Sequence, residues 1–187
     1  MSSPVRLADR RAPPLRRRFV CCAAGTLLAC AGLPGPAPAL QRPPDAGALR
    51  RALEFAEGAA EGRSGETLHV FFDALCPACM LLYRRTRGAV RAGRLRLQWI
   101  PVSLLGPASL MSAAQLLAAR DRARALARMF EHPDASPARS RRALAMVPAV
   151  LGNGALLRWL AGPRAATPCV LTEVPGQGWM LRIGVGP

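Results

Sequence analysis

The sequence predicts an α/β fold, because a buried strand, a cysteine pair and a helix follow one another directly. An apolar run rich in Val and Phe ends at Asp73 and has the length of a buried strand. Cys76 and Cys79 follow in a C-x-x-C spacing, and a helical pattern extends to residue 92. Residues 95–100 alternate between apolar and polar and predict a second strand, parallel to the first through a right-handed crossover.

The cysteine pair predicts thiol–disulfide exchange. Cys76 would occupy the N-terminus of the helix, where unpaired amides and the helix dipole favour an anion such as a thiolate. Cys79 lies one turn later on nearly the same face, within reach of disulfide geometry. We therefore assign Cys76 as the nucleophile and Cys79 as the thiol that resolves the mixed disulfide. A metallochaperone that binds metal through both thiols is the alternative, although a C-x-x-C motif supplies two ligands and structural zinc takes four.

The rest of the folded region predicts helices and a terminal hairpin. Asp45 is a candidate N-cap for a short helix that extends to about Glu61. The hairpin would pair residues 169–174 with 179–185 across a Pro-Gly-Gln-Gly turn. Further helices are predicted over residues 108–131, 137–150 and 154–161.

Two segments carry a resemblance to a known family. The run HVFFDALCPAC resembles the active-site segment of thioredoxin-fold proteins, especially the periplasmic DsbG/DsbC thiol:disulfide interchange proteins. Downstream, Thr167-Pro168 resembles the family's Thr-Pro motif. The resemblance covers roughly residues 66 to 184. It implies a thioredoxin-like fold with a helical insertion between the central strand and the cis-Pro hairpin.

The resemblance also implies roles for individual residues. Thr167 and Pro168 would form a cis bond and present backbone to an incoming substrate. Asp73 matches an acidic position that could tune thiol pKa or relay protons; a solvated carboxylate at the strand end is the other interpretation. Cys169 follows the proline and is interpreted as a small buried residue, or as the source of a competing disulfide if it reaches Cys76.

The resemblance implies a function as well. It indicates a reductase or isomerase that acts on disulfide-containing exported proteins, with no cofactor and no metal. The implied partner is a DsbD-like membrane thiol reductase. DsbG and DsbC carry an N-terminal dimerisation domain and a closing helix that this sequence does not match. We expect one sheet face to be partly exposed, or covered by the helix that begins at Asp45.

The N-terminus predicts export to the periplasm. Residues 1–39 combine a basic region, an apolar stretch too short to span a bilayer and an A-x-A cleavage pattern. A lipoprotein signal ending at Cys30, a twin-arginine signal and an uncleaved anchor are the alternatives. The predicted organisation is therefore an export signal (1–39), a linker with a short helix (40–64) and a thioredoxin-like domain (65–187).

The charge of the chain does not indicate nucleic-acid binding. The net charge is +15, and all 26 basic residues are arginine. Without residues 1–39 the chain keeps 20 arginines against 10 acidic residues. These arginines are scattered over helical segments with few aromatics between them, and no nucleic-acid-binding motif is present. We interpret the arginines as residues on the solvated faces of helices.

Overall fold

The computed structural model describes residues 45–132 and 140–185. The predicted export signal, residues 1–39, lies outside them. In this part of the chain the helices are α1 (Ala46–Glu54), α2 (Pro77–Arg91), α3 (Pro107–Ala118), α4 (Arg122–Glu131) and α5 (Arg141–Ala161), and the strands are β1 (Ala59–Glu61), β2 (Glu66–Asp73), β3 (Leu95–Val102), β4 (Cys169–Val174) and β5 (Gly178–Ile183).

The strands form one sheet in the order β1-β3-β2-β4-β5. β2 and β3 are parallel and joined through α2, whereas every other neighbouring pair is antiparallel. The predicted strand–helix–strand unit and the terminal hairpin are thus confirmed. β3 continues through Pro101 to Val102, two residues beyond the predicted strand over 95–100. The proline is tolerated because β1 pairs with β3 only as far as Trp99, so its missing N–H breaks no ladder there.

The segment after Asp45 differs from the prediction. Asp45 caps α1, its carboxylate accepting from the backbone N–H groups of Gly47 and Ala48, but the helix ends at Glu54 instead of near Glu61. The chain then turns and adds β1 to the sheet edge. Gly58 permits this close approach, because a Cβ there would collide with the carbonyl oxygen of Trp99.

The helical insertion also divides differently. The predicted helix over 108–131 is two helices, α3 and α4, since Asp121 begins a new helix by accepting a hydrogen bond from Arg124 N at 2.9 Å. Conversely, the predicted helices over 137–150 and 154–161 are one helix, α5, which runs through Gly152-Asn153-Gly154. Glycine and asparagine predicted a break there, but Asn153 and Gly154 are buried, and Asn153 donates a hydrogen bond to Pro101 O of β3.

The sheet separates two apolar layers. On one face α1 and the C-terminal half of α5 pack on the alternate residues Phe71, Ile100 and Leu171. On the other face α2 and α4 pack on Val70, Phe72, Leu97 and Trp99. Leu49 of α1 is fully buried. The expectation that the helix after Asp45 covers a sheet face is therefore confirmed.

A buried amide holds α5 against the sheet. The Nδ2 group of Asn153 donates to Glu57 O at 2.8 Å and to Pro101 O at 2.9 Å. These two carbonyls lie where β1 and β3 no longer pair. The asparagine therefore replaces the missing ladder hydrogen bonds at this corner of the molecule.

We predict that Asn153→Ala destabilises the fold by about 3 kcal/mol, because it leaves two backbone carbonyls without donors. Urea unfolding measures the change. Gly152→Ala is the matched control: it lies one residue away and a Cβ there meets nothing within 4 Å. The control should stabilise α5 by up to about 1 kcal/mol. A near-neutral Asn153→Ala would contradict the proposed role of the amide.

Candidate active site

The cysteine pair lies where β2 ends and α2 begins. Cys76 is the N-cap residue of α2, with Pro77 at the start of the helix. Its N–H donates to Asp73 O at 3.1 Å, and its carbonyl accepts from Cys79 N at 3.0 Å. The turn thus holds Cys76 at the N-terminus of the helix, as the sequence predicted, where helix amides favour a negative charge.

The two thiols have different environments. Cys76 is 7% exposed, whereas Cys79 is completely buried. Burial raises the pKa of the Cys79 thiol strongly; a hydrogen bond with the backbone of Asp73 opposes this shift, and the neighbouring Cys76 adds to it. Cys79 is therefore held as a neutral thiol at neutral pH, and Cys76 is the better placed of the two to attack.

Thr167 and Pro168 lie beside the cysteine pair, as the resemblance implied. The Thr167–Pro168 bond is cis. The Cys76 thiol donates to the carbonyl oxygen of Thr167 at 3.3 Å. Gly184 N donates to Pro168 O at 2.7 Å, which ties this loop to the end of β5. The backbone of the Thr-Pro loop consequently borders the Cys76 sulfur.

Asp73 is fully buried and accepts four hydrogen bonds. Its Oδ1 accepts from Leu75 N at 2.9 Å. Its Oδ2 accepts from Leu104 N at 2.7 Å, Leu105 N at 3.0 Å and Ser109 Oγ at 2.6 Å. The interpretation of Asp73 as a solvated carboxylate is wrong, because its partners come from the connection after β3 and from α3. The carboxylate fixes these segments next to the cysteine turn.

Cys169 is a buried core residue, as interpreted from the sequence. It is completely buried in β4 opposite Phe71, in the layer that faces α1 and α5. Burial raises the pKa of its thiol to about 12. Cys76 and Cys79 belong to the layer on the other face of the sheet. The sheet therefore separates Cys169 from the cysteine pair, which disfavours the competing disulfide.

Sequence reasoning missed the polar cluster that braces α2. The guanidinium of Arg87 donates to both carboxylate oxygens of Glu61 in β1, and Trp99 Nε1 donates to the same carboxylate at 2.8 Å. The guanidinium also lies 3.8 Å from the centre of the Tyr83 ring. No sequence signal revealed this cluster, because Glu61 was assigned to a helix.

No protein-family model matches the sequence. The chain is 30% identical over 125 residues to the thiol:disulfide interchange protein DsbG of Pseudomonas aeruginosa. The aligned region covers 63% of this chain and 47% of DsbG, so the chain spans about half the length of this relative. This match confirms the predicted resemblance to Dsb-type thiol:disulfide interchange proteins.

Solved structures agree on the fold. The thiol-disulfide exchange protein alpha-DsbA2 of Wolbachia pipientis superposes with a TM-score of 0.52 at 15% identity, covering 77% of this chain and 94% of that protein. A periplasmic thioredoxin-like protein of Salmonella enterica serovar Typhimurium gives 0.51 at 18% identity, with 75% and 89% covered. A linker-deletion mutant of Proteus mirabilis ScsC gives 0.55 at 18% identity, with 75% and 77% covered. The chain has a thioredoxin-like fold.

We predict that Asp73→Ala destabilises the thioredoxin-like fold by at least about 3 kcal/mol, because it leaves three backbone N–H groups and a hydroxyl without their acceptor. Ser109→Ala is the matched control, since it removes one of the four donors and should cost about 1 kcal/mol. Urea unfolding measures both variants. Equal small losses would show that the carboxylate does not hold this corner together.

We predict that iodoacetamide modifies Cys76 much faster than Cys79 or Cys169 at neutral pH. Burial raises the pKa of both other thiols, so neither supplies the reactive thiolate there. Peptide mass mapping after a short pulse measures the order. In denaturant the three cysteines should react at similar rates. Earlier modification of Cys79 would contradict the assignment of Cys76 as the nucleophile.

Proposed function

We propose that the chain is an enzyme of thiol–disulfide exchange that uses Cys76 and Cys79 as its redox pair. The observation that carries the proposal is the asymmetry of the two thiols. Cys76 caps the N-terminus of α2 beside the Thr167 carbonyl, and Cys79 is completely buried one turn behind it. An attacking thiolate and a protected resolving thiol are the two groups that this chemistry requires.

The reaction moves two electrons in two steps. The Cys76 thiolate attacks one sulfur of a substrate disulfide, forms a mixed disulfide and releases the other substrate sulfur as a thiolate. Cys79 then loses its proton and attacks the Cys76 sulfur, which expels the second substrate thiolate. The substrate ends as a dithiol after taking up two protons, and Cys76 and Cys79 end as a disulfide. An isomerase would let a substrate thiol reverse the first step instead.

The surface next to the redox pair supports a polypeptide substrate. Leu75, Leu104 and Leu105 are 40%, 36% and 54% exposed. Their backbone N–H groups all bind the Asp73 carboxylate, so the three leucines lie close together and near Cys76. Thr167 and Pro168 offer backbone on another side of the sulfur, and we propose that they contact the substrate chain.

The motif resemblance to the DsbG/DsbC proteins implies the direction of the reaction, and the likeness to a periplasmic thioredoxin-like protein supports its place. We propose reduction or isomerisation of disulfides in exported proteins of the periplasm, with the redox pair kept reduced by a DsbD-like membrane thiol reductase. Residues 1–39 would provide the export signal, with a lipid anchor at Cys30 as the alternative. A periplasmic site would allow the disulfide chemistry, which a reducing cytosol opposes.

The redox equilibrium of the pair tests this proposal. We predict a two-electron couple between about −120 and −270 mV in glutathione buffers. The measurement uses the chain with Cys169→Ser and follows the Cys76–Cys79 disulfide by peptide mass mapping, which separates it from the cysteines before residue 40. A pair that forms no disulfide at any glutathione ratio would refute the exchange activity.

Trapping separates the roles of the two cysteines. Cys79→Ser should accumulate mixed disulfides between Cys76 and a substrate protein that carries scrambled disulfides, because no resolving thiol remains. Cys76→Ser is the matched control and should accumulate none.

The non-enzymatic metallochaperone is the alternative, and it predicts tight metal binding that protects both thiols without redox turnover. Within residues 45–132 and 140–185, no three His, Cys, Asp or Glu side chains form a possible metal site.

A further inference from the structure

Helix α5 is apolar on all sides although only part of it is buried. The stretch Arg141–Arg164 contains no Asp or Glu, and it is long and apolar enough to cross a membrane by length and composition alone. Buried helices often share these properties. Here, however, only 33% of the most apolar 18-residue stretch of the helix is buried. A helix that is apolar all round normally has both faces covered.

The uncovered side of α5 forms a continuous apolar surface. Its exposed residues recur at helical spacing and include Leu144 at 53%, Leu151 at 54% and Trp159 at 46%. We call this surface the α5 stripe; it consists of Leu144, Pro148, Leu151, Ala155 and Trp159. It extends for about 22 Å at the rise of an α-helix. Large exposed apolar patches of this kind mark interaction surfaces.

A neighbouring side chain extends the stripe. Phe55 follows α1 and is 85% exposed. It lines the same shallow cavity as Gly152 and Leu156, so it lies alongside the middle of α5. The apolar surface is therefore wider than one helix. The opposite side of α5 packs on α3 and β3, which means that the helix could lie along another surface but not pass through it.

Every charged residue between Arg141 and Arg164 is an arginine. The acid that lines the cavity beside Phe55, Glu57, pairs with Arg122. Arg141 and Arg142 lie at the start of α5, and Arg158 and Arg164 lie near its end; all four are exposed. Within the part of the chain that the structure describes, none of them pairs with a carboxylate. The ends of the stripe are therefore cationic, and its partner must be apolar in the middle and anionic at the rim.

This charge pattern argues against a second copy as the partner. In an antiparallel pair of α5 helices, Arg141 and Arg142 of one chain would face Arg158 and Arg164 of the other. A parallel pair would place identical arginines together. Neither arrangement supplies an acid from α5, because this helix has none. Repulsion between like charges would oppose both dimers.

We propose that the α5 stripe binds the surface of an anionic lipid bilayer. Leu144, Leu151 and Trp159 would enter the boundary between headgroups and acyl chains, and the arginines would contact lipid phosphates. Leucine and tryptophan beside arginine are the residues that interfacial helices use. This binding would hold the domain on a membrane surface and does not depend on the proposed thiol chemistry.

Tryptophan fluorescence of the full chain tests the proposal. The probes are vesicles of phosphatidylcholine alone and vesicles mixed with phosphatidylglycerol, each with and without brominated acyl chains. We expect binding only to the anionic vesicles, weakened by salt, with quenching by the brominated lipid. Trp159 is the exposed tryptophan, while Trp99 and Trp179 are buried. Trp159→Phe should therefore remove the quenching while the chain still binds.

The variant Leu144→Gln/Leu151→Gln/Trp159→Gln lacks the fluorescent reporter, so its binding is measured by sedimentation with the vesicles. It should bind at least about tenfold more weakly, an estimate from the apolar area lost. Its matched control is Leu81→Gln/Ile183→Gln, which changes exposed apolar residues on other faces and should bind normally. Far-ultraviolet circular dichroism checks that both variants fold.

Four outcomes would overturn the proposal. Equal binding to both vesicle types would remove the role of the arginines. Binding with unquenched Trp159 would assign the contact to another segment, such as the apolar residues 19–31. A dimer in sedimentation that the triple variant dissociates would make the stripe an interface between copies, and failure to bind any vesicle would leave an acidic protein as the partner.

Discussion

The hydrogen-bonded carboxylate of Asp73 is the interaction on which the structure around the candidate active site depends. A fully buried carboxylate is costly unless its oxygens are satisfied, and this one accepts from three backbone N–H groups and one hydroxyl. Its partners belong to the cysteine turn, the connection after β3 and helix α3. One side chain thereby joins the strand that ends at the cysteine pair to the helical insertion.

The sheet separates the cysteine pair on one face from Cys169 on the other. The face toward α2 and α4 carries the cysteine pair and an aromatic cluster of Phe72, Tyr83, Trp99 and Phe130, whose ring centres lie 4.7 to 5.9 Å apart. The other face is covered by α1 and α5 and contains Cys169. Among the described residues, this division keeps the remaining thiol, Cys169, away from Cys76.

The candidate site was predictable from the sequence wherever its determinants are local. Cys76 and Cys79 were predicted because strand, C-x-x-C and helix are adjacent in the chain, and Thr167-Pro168 because the motif itself is short. The environment of Asp73 was not predictable. Its partners Leu104 and Ser109 lie more than thirty residues away, in a segment whose sequence indicates only a connection and a helix.

The parallel strand–helix–strand unit, the terminal hairpin and the helix cap at Asp45 could be predicted, since hydrophobic period and turn residues are local properties of the chain. The edge strand β1 could not be predicted, because it depends on a long-range contact in which Gly58 lets the strand approach Trp99 O. The continuity of α5 could not be predicted either, because burial of Asn153 between two carbonyls outweighs the weak helix propensity of Gly152-Asn153-Gly154. In both segments, long-range hydrogen bonds and packing outweigh the local conformational preference of the sequence.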